Sequence, residues 1–217
     1  MKRLTFLLMT VMALTMTQAF AKKVKVACVG NSITYGAFID NREKYHYPAQ
    51  LQGYLGEEYE VRNFGLNGAT LLLQGDYPYM KSPQYQQSLD VLPDIVIIKL
   101  GTNDSKPYNW KEQEHFKKDL KTLIESFRAL PAKPEIWLCL PVPAYGHAWS
   151  INDSIIYNGV IPYIKEVAHE ENITLVDLNT PMQGKRQYFP DTIHPNEEGQ
   201  KEIAQIVFDA VFAKRKK

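Results

Sequence analysis

The sequence predicts an α/β fold, a three-layer α/β/α sandwich around a five-stranded parallel sheet. Short β-branched runs alternate five times with longer segments of helical periodicity. The clearest run, Asp94 to Leu100, is apolar at odd and even positions alike, as a strand covered on both faces must be. The early runs stop at small polar residues, Gly30-Asn31-Ser32 and Gly101-Thr102-Asn103-Asp104. Such residues suit turns at the carboxyl edge of a sheet. Five strands with right-handed crossovers fit the flavodoxin-like order 2-1-3-4-5.

The elements follow in order. Val24 to Val29 is a buried strand that stops at Gly30. Tyr35 to Tyr47 is a polar and aromatic loop, and Pro48 opens a short helix, Ala49 to Leu55. Tyr59 to Phe64 is the second strand. Leu71 to Leu89 is read as irregular because Gly75, Pro78 and Pro83 interrupt it. The third strand is Asp94 to Leu100. Trp110 to Leu130 is a helix, with Phe116, Leu120, Leu123, Ile124 and Phe127 on one face. Glu135 to Leu140 is the fourth strand. Asn152 to Glu171 is mostly helix, with a break at Gly159 and Pro162. Ile173 to Leu178 is the fifth strand. Asn196 caps a last helix to about Phe212, with Glu197 and Glu198 at its positive end.

The 217 residues suit one domain after the first 21. Lys2 and Arg3, an apolar run from Leu4 to Met16, and Ala19-Phe20-Ala21 read as a cleavable secretory signal peptide. That divides the chain into 1–21, the leader, and 22–217, the folded domain, and implies a periplasmic or secreted protein. Removing Lys2 and Arg3 turns the formal net charge of +1 into −1. No basic field invites nucleic acid, and no stable membrane insertion is expected. Cys28 and Cys139 fall in strands separated by another strand, about 10 Å apart at 4.8 Å per step, so no disulfide is expected.

The polar clusters all follow strand ends, so they converge on one edge of the sheet. They are Asn31-Ser32, Asn67-Gly68, Asn103-Asp104 and Asp191-Thr192-Ile193-His194. Taken alone, Ser32 also fits a simple βα turn. Taken together, the clusters contain what acyl transfer requires. Ser32 is the candidate nucleophile, His194 the base and Asp191 the group that orients it. The Ser32 N–H, the Gly68 N–H and the Asn103 amide are candidate donors to an oxyanion. Asp104 is expected to shape the loop that holds Asn103. No His-Glu-x-x-His or paired-cysteine spacing is present, so neither metal nor cofactor is expected. Lys99, inside the central strand, needs a partner or loses its charge, and the sequence names no partner.

These blocks resemble the SGNH, or GDSL-like, hydrolases. The resemblance rests on Asn31-Ser32-Ile33-Thr34, Asn63-x-Gly65-x-x-Gly68, Gly101-Thr102-Asn103-Asp104 and Asp191-x-x-His194, in the family's order. It implies Ser32, Asp191 and His194 as the triad, with Ser32, Gly68 and Asn103 as the oxyanion hole. Asn31 departs from the family name, which has Asp before the serine; that position lies outside the catalytic set.

The stretch from Lys99 to Lys106 is similar to bacterial carbohydrate O-acetylesterases of the sialate type. The resemblance implies a serine esterase that removes small acyl groups, above all acetyl groups on carbohydrates, through an acyl-enzyme. Its partner would be a small-molecule or glycan ester. Aromatic residues crowd the active-edge loops, among them Tyr35, Tyr45, Tyr47, Tyr77, Tyr79, Trp110 and Tyr145. Tyr108, Trp149, His46 and His147 are candidates for substrate contact, and a structural role is open for each histidine. Two other readings stay open. One is a lysophospholipase or acyl-thioesterase for longer chains, for which Leu71-Leu72-Leu73 is the one candidate lid. The other is a catalytically silent glycan-binding module.

Overall fold

The computed structural model describes residues 22–213 and 215; the predicted leader, residues 1–21, lies outside them. The strands are β1 (Val24–Gly30), β2 (Tyr59–Gly65), β3 (Ile95–Lys99), β4 (Glu135–Leu140) and β5 (Thr174–Asp177). They form one parallel sheet in the order β2-β1-β3-β4-β5, the order the alternation predicts.

Period-two alternation splits the core into two halves. Ala27, Val29, Val96 and Ile98 face one side with Phe116, Leu120, Ile124, Ile164 and Val167. Val26, Cys28, Ile95 and Ile97 face the other with Tyr47, Leu51, Ile203 and Val207. Both faces of β1 and β3 are therefore apolar, and helices cover both. Cys28 and Cys139 are free and buried, and burial pushes each thiol up to about 12.

Helices appear in three segments where the sequence reading differs. The loop after β1 contains α1 (Ser32–Tyr35) and α2 (Arg42–Tyr45), and α3 spans Tyr47–Leu55. The stretch read as irregular holds α4 (Pro83–Asp90). Pro83, taken as a breaker, starts that helix, and the Ser82 hydroxyl accepts from the Tyr85 N–H. The long helix read from Trp110 is two: α5 (Pro107–Trp110) and α6 (Phe116–Arg128). Trp110 turns inward onto Phe116 and Tyr163, each ring centroid at 5.6 Å, which separates its turn from α6.

The expected break at Gly159 and Pro162 is a π-helical turn, Ile156–Val160, between α7 (Asp153–Ile155) and α8 (Ile161–Glu170). Pro162 follows this turn inside a continuous helical run, so its missing N–H coincides with the place where the regular ladder is already interrupted. Asn196 caps α9 (Glu197–Val207) by accepting from the Gly199 N–H. No helix among the described residues is long and apolar enough to cross a membrane.

Lys99 ends β3 fully buried. Its Nζ lies 3.5 Å from Asn31 Oδ1, which also accepts from the Ile33 N–H. Burial pushes its pKa down to about 7 from an ordinary 10.5. The folded chain thus releases this proton at lower pH than the unfolded chain does. Wild-type stability should rise with pH through that window, by at most about 1.4 kcal/mol per pH unit. Lys99→Met should therefore be more stable than wild type near pH 6, and its advantage should shrink toward pH 9. Thermal unfolding of both proteins across that range is the check; an advantage independent of pH would contradict it.

Candidate active site

The carboxyl edge of the sheet brings together residues from four loops. At the end of β1 the chain must turn sharply into α1. Gly30 permits this: a Cβ there would lie 2.1 Å from Thr34 Oγ1 and 2.7 Å from the Lys99 carbonyl. Asn31 caps α1 through its side chain, and Ser32 becomes the first helical residue. A first-turn N–H has no partner inside its own helix, so the Ser32 N–H is a free donor by position. Asn63 pins this helix from the neighbouring strand. Its amide donates to the Thr34 carbonyl at 2.9 Å and the Tyr35 carbonyl at 3.3 Å.

Asp191 organises the last loop. Its Oδ1 accepts from the backbone N–H of Ile193 at 2.9 Å and of His194 at 2.6 Å. Its Oδ2 lies 2.8 Å from His194 Nδ1. Facing a carboxylate, Nδ1 carries the proton, so Nε2 is left with its lone pair. That nitrogen lies 2.8 Å from Ser32 Oγ. The serine hydroxyl thus donates to His194 and the imidazole donates to Asp191.

The charges follow from this arrangement. Burial lowers the His194 pKa below the ordinary 6.5; Asp191 opposes that and the Lys99 cation adds to it. For Asp191 burial alone would raise the pKa. The N–H donors of His194 and Ile193 and the imidazole outweigh it and hold the carboxyl below its ordinary value.

Ser32, Asn67, Gly68, Asn103 and His194 line one cavity of about 160 Å³. Gly68 has φ of +77°, a left-handed conformation that glycine adopts without strain. Asn103 donates one amide hydrogen to the Ala69 carbonyl at 3.0 Å, which fixes the amide plane and leaves a second hydrogen for the cavity. Asp104, beside Asn103, accepts from the Leu71 and Leu72 N–H groups of the loop after β2, at 3.1 and 2.8 Å, and so ties the two loops together. It is fully buried, and burial lifts it to about 6.

Among the predicted contact residues, Trp149 lines the cavity; His46, Tyr108 and His147 do not. His46 is buried, and its Nδ1 accepts from the Ala49 N–H as the cap of α3. Burial and the nearby Arg42 cation push it down to about 4, which keeps the lone pair available. The Tyr108 hydroxyl donates to Asp76 at 3.1 Å. His147 is exposed ahead of the turn that carries Trp149. Tyr47, Tyr79 and Trp110 are core residues.

Three contributors escaped the sequence reading. Lys106 lines the cavity and pairs with Asp76 at 2.8 Å. Phe38 lines it from the loop after α1. Gln200, on α9, donates to the Ile33 carbonyl at 2.9 Å and accepts from the Tyr47 N–H at 2.8 Å. A glutamine in the apolar stripe of that helix was the available signal. Glu112, Glu114 and His115 place ligand atoms within 4.8 Å of one another before α6, but they do not line the cavity.

The profile of the GDSL-like lipase/acylhydrolase family matches residues 28–202. The chain belongs to that family. All four polar clusters lie within the matched span. The chain is also 44% identical over 206 residues to an acetylxylan esterase of Xylanibacter ruminicola, covering 87% of this chain and 43% of that one. It spans less than half the length of the curated relatives it matches. Among solved structures it resembles an acetyl xylan esterase, with TM-score 0.70 and 20% identity over 87% of this chain and all of the other. It also resembles a carbohydrate acetylesterase family member from Sinorhizobium meliloti, with TM-score 0.62 and 21% identity over 88% and 97%. At such identities the structural likeness establishes the fold.

The placement of His46 makes a direct prediction. His46→Ala should cost about 1 kcal/mol of stability through the lost cap. His46→Asn should recover most of it, since Asn also caps. Urea unfolding of the two variants beside wild type tests this; equal losses would rule out the cap.

Proposed function

We propose that the domain is a serine carboxylic ester hydrolase that removes acetyl groups from carbohydrates outside the cytoplasm. One observation carries the catalytic part: the continuous hydrogen-bonded chain Ser32–His194–Asp191 opens into a small cavity beside Gly68 and Asn103. In this reading Ser32 Oγ attacks the ester carbonyl while His194 Nε2 takes its proton. The oxyanion that forms is met by the N–H groups of Ser32 and Gly68 and by Asn103. His194 then returns the proton to the departing alcohol. Water, activated by the same imidazole, releases acetate from Ser32.

The acetyl preference draws on the cavity volume of about 160 Å³, which suits a short acyl group. The similarity to an acetylxylan esterase supports a sugar as the alcohol. The leader predicted over residues 1–21 supports export; processing of the expressed chain to a mature form beginning at Lys22 would be its signature.

Ser32→Ala should lower ester hydrolysis by at least about a thousandfold with unchanged thermal stability. Purified variant retaining a tenth of wild-type turnover would overturn the assignment. On p-nitrophenyl esters, rates should fall from acetate to butyrate to octanoate, because a cavity of about 160 Å³ leaves little surface to repay each added methylene with its roughly 0.8 kcal/mol. The reverse order would favour a lysophospholipase or thioesterase.

The pH profile has a defined sign. His194 acts as a base only when neutral, so activity should rise through one ionisation and then level off. Burial places that midpoint below 6.5, and Asp191→Asn should move it lower still. A kcat that is flat from pH 4 to pH 8 would remove His194 from the base role.

A further inference from the structure

Phe38 and Trp149 come from different loops, one after α1 and one after β4, yet their rings stack on each other. The centroids are 5.6 Å apart and the planes differ by 18°. Each ring also meets the His194 imidazole edge to face, at 5.1 and 4.9 Å. Both line the cavity, and both are open to solvent, at 76% and 51% of their surface. Each sits on a left-handed backbone, φ 63° and 54°, which bulky side chains seldom adopt. Two aromatic side chains are thus held outward, as a stacked pair whose outer face is apolar, at the mouth of the site.

Their side of the mouth has a chemical meaning, resting on the esterase reading above. The carbonyl oxygen of a bound ester points to the donors on the loops after β2 and β3, where Gly68 and Asn103 stand. The alcohol oxygen must instead lie beside His194 Nε2, from which it takes its proton as the C–O bond breaks. Groups packed on the imidazole therefore border the alcohol half of the ester and not the acyl half. We propose that Phe38 and Trp149 form the subsite for that half, stacking the apolar face of the sugar ring whose acetyl group is removed. Aromatic rings are suited to this, since a pyranose presents C–H groups on its face and hydroxyls at its rim.

The test compares two acetate esters with different alcohols, ethyl acetate and an acetylated methyl xyloside. In Phe38→Leu and Trp149→Leu the apolar bulk stays and the flat ring goes. The ratio of kcat/KM for the xyloside ester over ethyl acetate should fall about tenfold in each, mostly through KM, and Trp149→Phe should restore most of it. An unchanged ratio, even with both rates reduced, would mean that the rings only support His194 and would overturn the subsite. A second readout needs no turnover. In Ser32→Ala, xylotriose should quench tryptophan fluorescence, because Trp149 is exposed and lines the cavity, while Trp110 is buried and Trp137 lies on β4 outside the cavity, and Trp149→Phe in that background should abolish the quench. Failure of wild type to hydrolyse either ester would be a failure of the catalytic reading. The xylotriose titration would then decide the subsite alone, and no quench would overturn it.

Discussion

Ser32 and His194 stand 162 residues apart in the chain, and 2.8 Å separates the serine oxygen from the imidazole nitrogen. Much of the loop architecture serves that one contact. A parallel sheet delivers all its strand ends to the same edge, but only to within several ångströms, since neighbouring strands are about 4.8 Å apart. The remaining precision comes from side chains that bond to backbone. Asn63 fastens α1 to β2, and Asp191 folds its own loop around His194. Gln200 ties the helix after the histidine to the helix that carries the serine. Each sets an amide or carboxylate, buried in Gln200 and half-buried in Asn63 and Asp191, on a backbone group, which is costly to lose because the partner is then left without a bond.

The same edge gathers the molecule's unfavourable features. Lys99 and Asp104 are fully buried ionisable groups, and burial shifts each toward its neutral form. Left-handed backbone occurs at both edges. At the opposite edge Leu92 and Asn172 follow α4 and α8, where such a residue ends a helix, and Lys133 lies in the turn before β4. At the site edge Phe38, Trp149 and Thr192 adopt it without that excuse. Strain of this kind persists only where surrounding structure overdetermines it. The two apolar faces of β1 and β3 supply that surplus.

The sheet was legible in the sequence because its signals are redundant. A run such as Ile95 to Ile98 is apolar on both faces, so no register error can hide it. The polar clusters were legible for the same topological reason: in a parallel sheet, residues that follow strands must share an edge. What stayed hidden is partly local bonding that composition does not reveal and partly contact between residues distant in sequence. Pro83 reads as a breaker until Ser82 is seen to cap the helix it starts. Trp110 reads as part of an amphipathic helix until Phe116 and Tyr163 are seen to draw it inward. His46 offered no sign in its neighbours that a backbone N–H three residues on would claim its lone pair. Phe38 is a single aromatic in a loop, and only the fold places it beside Trp149.

That juxtaposition bears on how one scaffold serves different esters. The proposed oxyanion donors and the histidine stand on loops that follow the strands and are pinned by side-chain bonds to backbone, so they allow little variation. The buried Ile151 and Ile193 wall the same cavity as Ser32 and His194. At its mouth stand two loop residues, Phe38 at 76% and Trp149 at 51% exposure. Substitutions there disturb no core packing, and loops tolerate them better than strands do. With Phe38 and Trp149 as the proposed subsite, selectivity for the alcohol can therefore change without moving the serine or the imidazole.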